Sequence, residues 1–252
     1  MRPLKQHSVS CAFLALILVS SFFVGCFGDD EEGVYTGPIN MTIGVAETSG
    51  MIEIIKGQNN QTVSEDYVTF EFDFSQVTSE GSNIAAVYLI PDDGSDKIEQ
   101  DPNENAIISH EYTSHGIFEI TLGATDENEN SHEIKMKLRV DYLIWHNETS
   151  TNVPNEIWVD TTPGSNTSMG PSRIHVMSTV ENPSPGFDPF GGPSTVTFRM
   201  NDETGTEVST HVEEIANGDS YNWETEWPNP NSGAWEVEFE VEGDSVNSNS
   251  II

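Results

Sequence analysis

The sequence predicts an all-β protein, with two antiparallel β-sandwich domains behind an N-terminal export segment. Three observations carry this expectation. Apolar residues recur at every second position in segment after segment, the period of a strand with one face in a core and the other in water. Asp, Asn, Pro and Gly punctuate these segments at short intervals, as turns between strands require. No stretch of similar length carries the 3.6-residue period of an amphipathic helix. The 252 residues suffice for two sandwiches of about 100 residues each.

Residues 1–25 read as a signal peptide. Arg2 and Lys5 give a positive start, residues 12–25 are apolar apart from Ser20 and Ser21, and acids begin only at Asp29. The apolar stretch is shorter than the roughly 18 residues of a membrane-spanning helix, and small residues follow it, as in a secretory signal. Phe23-Val24-Gly25-Cys26 resembles the lipobox of prokaryotic lipoproteins, with Phe23 where that family usually has Leu. The resemblance implies cleavage before Cys26, a lipid on Cys26, and anchoring to the outer face of the cell membrane. Cys11 and Cys26 are the only cysteines, so the body of the chain offers no disulfide framework, zinc-finger spacing or thiol nucleophile. Residues 26–36, acidic from Asp29 to Glu32, read as a solvated tether.

Residues 37–145 form the first expected domain. Val68, Phe70, Phe72 and Phe74 alternate with Thr69, Glu71 and Asp73. Residues 84–90 are a nearly unbroken apolar run suited to a central strand. Phe118, Ile120 and Leu122 alternate with Glu119 and Thr121, and Ile134, Met136, Leu138 and Val140 alternate with Lys135, Lys137 and Arg139. Those three bases on one strand face suit a docking stripe or, more simply, a charged edge that blocks sheet-to-sheet aggregation. His110-Glu111-Tyr112, the strand-like 116–122 and Thr125-Asp126, followed by the alternating 133–142, resemble the C-terminal half of a PKD-type immunoglobulin-like domain. Tyr88-Leu89-Ile90-Pro91-Asp92-Asp93-Gly94 stands where that family carries a Trp-x-Phe-Gly-Asp-Gly signature and departs from it. The resemblance covers 62–143 and implies a seven-stranded sandwich used as an extracellular spacer or adhesion module.

Residues 146–154 are polar and end at Pro154, as a linker would. Beyond them, 155–246 read as a second immunoglobulin-like sandwich and 247–252 as a polar tail. Strands are expected at 156–160, 173–180, 195–200 and 234–241. In the last of these Trp235, Val237, Phe239 and Val241 face one way and Glu236, Glu238, Glu240 and Glu242 the other. The Pro/Gly-rich 182–193 is long for a structureless loop, and Phe187 and Phe190 within it are candidate partner contacts. Trp223 and Trp227 lie among acids and prolines and suit either stacking on a sugar or a place in the core or a lid; Trp235 belongs to the core by alternation.

The chain has 42 acids and 9 bases, a net charge of −33. Such a polyanion repels nucleic acid and anionic lipid headgroups and favours cations and basic surfaces. No motif demands a cofactor. Calcium is the ligand the residues could hold, with Asp92, Asp93, Asp96 and Asp101 close in sequence and hard cations needing several converging oxygens. EF-hand spacing is incomplete at both Asp101 and Asp126, and no zincin, nucleophile elbow or phosphate loop occurs. The expected function is therefore a cell-surface lipoprotein, not an enzyme, serving as an interaction, adhesion or spacer module. Its expected partners are the membrane, through the lipid, and a cell-envelope protein or polysaccharide. The alternatives are an extracellular carbohydrate- or calcium-binding protein and, behind them, an envelope enzyme.

Overall fold

A computed structural model describes residues 35–164, 170–183 and 191–252. Cys26, the tether to Val34, Phe187 and Phe190 lie outside the described residues. Within them the chain is strand throughout, apart from turns and one 3-10 turn at Gln58–Asn60. The expected all-β class holds.

The first sandwich uses β1 (Ile39–Asn40), β2 (Gly44–Val45), β3 (Ser49–Lys56), β4 (Thr62–Asp66), β5 (Val68–Asp73), β6 (Thr78–Ser79), β7 (Ile84–Ile90), β8 (Ile98–Gln100), β9 (Ile107–Tyr112), β10 (Gly116–Asp126) and the first part of β11 (Ser131–Thr151). One layer runs β8-β7-β10-β11-β3-β4 and the other β2-β5-β9. Alternation decides what lies between them: Phe70, Phe72 and Phe74 meet Val87, Leu89, Phe118, Ile120, Leu122 and Leu138 in one buried cluster. On the outward face Lys135 pairs with Glu119 at 3.2 Å across the β10–β11 ladder, and Arg139 with Asp141. Tyr88 lies opposite Gly123 in the ladder, its ring filling the space a Cβ at Gly123 would need. Its hydroxyl donates to Glu133 at 2.6 Å, and the Lys97 ammonium sits 3.7 Å above the ring.

The second sandwich uses the rest of β11 with β12 (Ile157–Asp160), β13 (Arg173–Glu181), β14 (Ser194–Asn201), β15 (Glu207–Ile215), β16 (Ser220–Pro228), β17 (Ala234–Glu242) and β18 (Val246–Ile251). Its layers are β16-β13-β18-β11 and β12-β17-β14-β15. Phe198, Trp223, Trp235, Val237 and Phe239 fill the core between them.

Two expected boundaries are corrected. The linker at 146–154 is strand as far as Thr151. β10 and then β18 pair along one edge of β11 while β3 pairs in parallel along the other, so β11 carries both sandwiches. The tail at 247–252 is the body of β18, hydrogen-bonded between β11 and β13. Both errors have one cause. The inward positions here are polar, namely His146, Glu148, Ser248 and Ser250, all buried, so the hydrophobic alternation that marks a strand is missing from the sequence. Three of them find partners on neighbouring segments, His146 on Asn60, Glu148 on Asn155 and Ser250 on Ser178. Glu148 accepts from the backbone N–H and the side-chain amide of Asn155, and Ser178 and Ser250 bond at 2.8 Å.

The 3-10 turn of the first sandwich docks onto this region. Asn60 donates its amide to the Glu156 carbonyl at 2.7 Å, and Gln58 donates to the Thr149 carbonyl at 3.3 Å. With its nitrogen so committed, Asn60 turns its Oδ1 to His146 Nε2 at 3.0 Å. That oxygen can only accept, so Nε2 carries the imidazole proton.

Candidate binding faces of the second sandwich

The acidic residues of the first sandwich do not converge. Asp92 accepts from the Glu119 backbone N–H at 2.9 Å, and Asp93 accepts from the Ser95 N–H at 2.9 Å and bonds His110 Nε2 at 2.7 Å. Burial pushes the Asp93 carboxyl upward, but the bonds from His110 and Ser95 outweigh it and hold the group below its ordinary range. Asp101 accepts from the backbone and side chain of Asn103, two residues on, and Asp96 is exposed. Short Asx-type turns thus take up Asp93 and Asp101, and a bond across to β10 takes up Asp92. Among the described residues no three His, Cys, Asp or Glu side chains form a metal-binding group, so the calcium set of Asp92, Asp93, Asp96 and Asp101 is not assembled.

Trp223 is also corrected. It lies on β16, where Asn222 and Glu224 point outward, and it is 4% exposed, with its ring 5.3 Å from Phe198 and edge-on to Phe239. The neighbouring acids and prolines suggested a loop; period-two alternation placed the ring in the core. Trp227 is half-buried, 6.0 Å from Trp235.

Two outer faces of the second sandwich instead present binding chemistry. The first is the outside of β12-β17-β14-β15. Ile157 and Val159 are buried, so Trp158 between them points outward and is 54% exposed. This aromatic was missed in the sequence, although the Ile-Trp-Val-Asp alternation signals it. The ladder sets Glu236 opposite Trp158, and Glu156 and Asp160 flank it two residues away on the same face. The Glu156 carboxyl is pushed above its ordinary range, chiefly by repulsion from Glu236. Further along, Arg199 reaches Glu238 and Glu240 at 2.7 Å each and Glu207 at 3.5 Å. Asn201 donates to Glu236 at 2.9 Å.

The second face is the outside of β16-β13-β18-β11. Four cross-strand neighbours form a polar row, Asn222, Thr179, Asn249 and Asn147. Beside it runs a mixed row, Glu224, Met177, Ile251 and Trp145. Between the rows lies a shallow depression of about 360 Å³. Thr179 donates to Asn222 Oδ1 at 2.8 Å, and Asn222 and Asn249 are both exposed. His175 bonds Glu224 at 2.8 Å. Amides that donate and accept, next to methyl-bearing side chains, match an uncharged polyhydroxylated surface.

No family model matches the chain, and no curated protein matches it. Among solved structures the chain is similar to a carbohydrate-binding module of the β-sandwich superfamily, at 11% identity and a TM-score of 0.28, over 73% of this chain and 90% of that one. It is similar to Bacteroides uniformis β-glucuronidase 2 at 9% identity and a TM-score of 0.28, over 83% of this chain but only 29% of the glucuronidase. It also matches SGBP-B of the Bacteroides ovatus mixed-linkage glucan utilization locus, in complex with a mixed-linkage heptasaccharide, at 9% identity and a TM-score of 0.17, over 82% of this chain and 53% of that one. A likeness of this extent assigns neither ligand nor activity.

Proposed function

We propose that this chain is an exported, non-catalytic display module, anchored at the outer face of the cell membrane through a lipid on Cys26 and holding two joined sandwiches as one stiff body. The observation that carries the display reading is β11. A single strand of 21 residues spans on the order of 70 Å and is a structural member of both sandwiches. β3 pairs with β11 from Arg139 to His146, across the point where the β10 ladder ends at Val140 and the β18 ladder begins at Trp145, so β11 cannot bend there without breaking ladder bonds and acts as a splint rather than a hinge. Asn60 and Gln58 brace the same junction from the first sandwich. The PKD-type reading of that sandwich draws support from placement: the His-x-Tyr pair closes β9, Tyr112 is buried, and Gly116 opens β10 at a φ of 153°.

The non-catalytic reading is supported by how the acid–base groups are used. His110 is engaged by Asp93, His146 by Asn60, and Glu148 by Asn155. Each is a structural bond between elements, not a pair aimed into a cleft.

The tests are separate. Cys26→Ser should move the protein from the membrane fraction to the soluble one; retention in the membrane sinks the anchor. A Gly-Ser-Gly-Ser insertion after His146 should broaden the distance distribution between spin labels on the two sandwiches. An unchanged distribution means that β11 is not what fixes the two bodies.

One further reading has its own observation, the amide row beside the depression. In that reading Asn222, Asn249 and Thr179 bind an uncharged glycan of the cell envelope. Glycan-array signal lost in Asn222→Ala and Asn249→Ala, with melting unchanged, supports it; an array blank for the unmodified protein ends it.

A further inference from the structure

We infer that the outer face of β12-β17-β14-β15, centred on Trp158, docks an arginine-rich polypeptide segment. The inference names a partner class for the display module; it rests on that reading only in supposing a partner, and its test does not depend on the anchor or on β11.

The argument begins with the ring. A tryptophan more than half exposed on a folded sheet leaves most of its apolar area in water, and on this face Val212 is 58% exposed as well. The β12–β17 ladder holds the Trp158 backbone opposite Glu236, with Ile157 and Val159 buried on either side, so the ring is presented outward from a paired strand and not from a loop. An exposed indole is the strongest side-chain acceptor for a cation over its π face, and guanidinium is the cation that most often takes that place. Around the ring stand Glu156, Asp160 and Glu236, which offer the carboxylate geometry that guanidinium binds with paired hydrogen bonds.

The charge of the whole face selects the same partner. The outward positions of β17 carry Glu236, Glu238, Glu240 and Glu242, and β15 adds Glu207 and Glu214. Arg199 is the base among these ladder positions, and three glutamates already hold it. The face stays strongly negative after its own pairing. A second copy of this chain, a nucleic acid and an anionic lipid surface are all repelled. A basic extended segment is attracted, and it can lay one guanidinium on Trp158 and others along the glutamate column. Glu156 and Glu236 repel each other in the free protein, and a guanidinium between them removes that repulsion.

The test is isothermal titration of the full chain with hexa-arginine at physiological ionic strength, with a neutral glucan hexasaccharide as the competing probe. Hexa-arginine should bind. Trp158→Ala should weaken it by roughly fivefold to thirtyfold, and Glu156→Gln or Glu236→Gln should weaken it several-fold. Glu104→Gln, an equal loss of charge on the first sandwich, should leave it within about twofold, since screening confines exposed charges to about 8 Å. The Trp158 ring is outside the core, so Trp158→Ala should melt like the unmodified protein; Trp158→Phe, which keeps an aromatic face, should recover part of the affinity. The inference is overturned if hexa-arginine does not bind, if Glu104→Gln weakens binding as much as Glu156→Gln, or if the glucan binds in a Trp158-dependent way and the peptide does not.

Discussion

At the scale of single residues, two histidines set how stability responds to pH. His115 and His146 are buried, and His115 Nε2 and His146 Nδ1 have no hydrogen-bond partner. Burial holds both below the ordinary value of 6.5, against the pull of Asp160 and Asp141 on His115 and of Glu148 on His146; Lys56 adds to the depression at His146. In the unfolded chain both imidazoles take up protons as pH falls through about 6.5, while in the folded chain they do not. The unfolded state then binds more protons, so stability falls with falling pH. It is flat above about pH 7 and declines from about pH 6.5 downward, before the carboxylates titrate. Urea midpoints measured across this range should show that decline, and His115→Gln with His146→Gln should flatten it. A decline of the same size in the double variant would assign it to other groups.

Individual strands show why identity and position must be read together. β16 and β12 each carry a tryptophan, and each alternates; Trp223 falls on the inward phase and Trp158 on the outward phase. Trp223→Ala should therefore cost about 3–5 kcal/mol of stability by chemical denaturation, whatever ligand is present. A loss below about 1 kcal/mol would contradict its place in the core. On β18 the alternation is present but written in serine, which packs where the sheet meets His146, Glu148 and Ser178. A Leu at Ser250 would need room that the bonded Ser178 hydroxyl occupies, so overpacking and a lost hydrogen bond would act together.

For the molecule as a whole, charge opposes folding. A net charge of −33 repels itself more strongly in the compact state than in the expanded one. Screening that repulsion should raise the melting temperature as sodium chloride increases from about 0.01 M to about 0.15 M, over which the Debye length shortens from about 30 Å to about 8 Å. Calcium and magnesium chloride at equal ionic strength should give equal shifts, because Asp93 and Asp101 are taken up by their own turns and Asp92 by the Glu119 backbone. A calcium-specific rise would place a site elsewhere in the chain. Melting curves in the three salts decide both points.

The sequence alone was enough for the class of the protein. Period-two alternation at 68–74, 118–122, 134–140 and 234–241 reports directly which side chains are buried, because a strand sends successive residues to opposite faces. The exposure of Lys135, Lys137 and Arg139 and the burial of Trp235 follow from the same rule. Where the inward residues are polar the rule has no apolar signal to act on. For that reason β11 beyond His146 and the whole of β18 look like linker and tail until His146, Glu148, Ser248 and Ser250 are seen buried between the layers. Only the tertiary structure decided that one strand joins the two sandwiches, that the neighbouring Asp92 and Asp93 bond different elements, and that Glu156 and Glu236 stand beside Trp158. Each depends on pairing between segments far apart in the chain, and that pairing is fixed by ladder register and burial, which local composition does not encode.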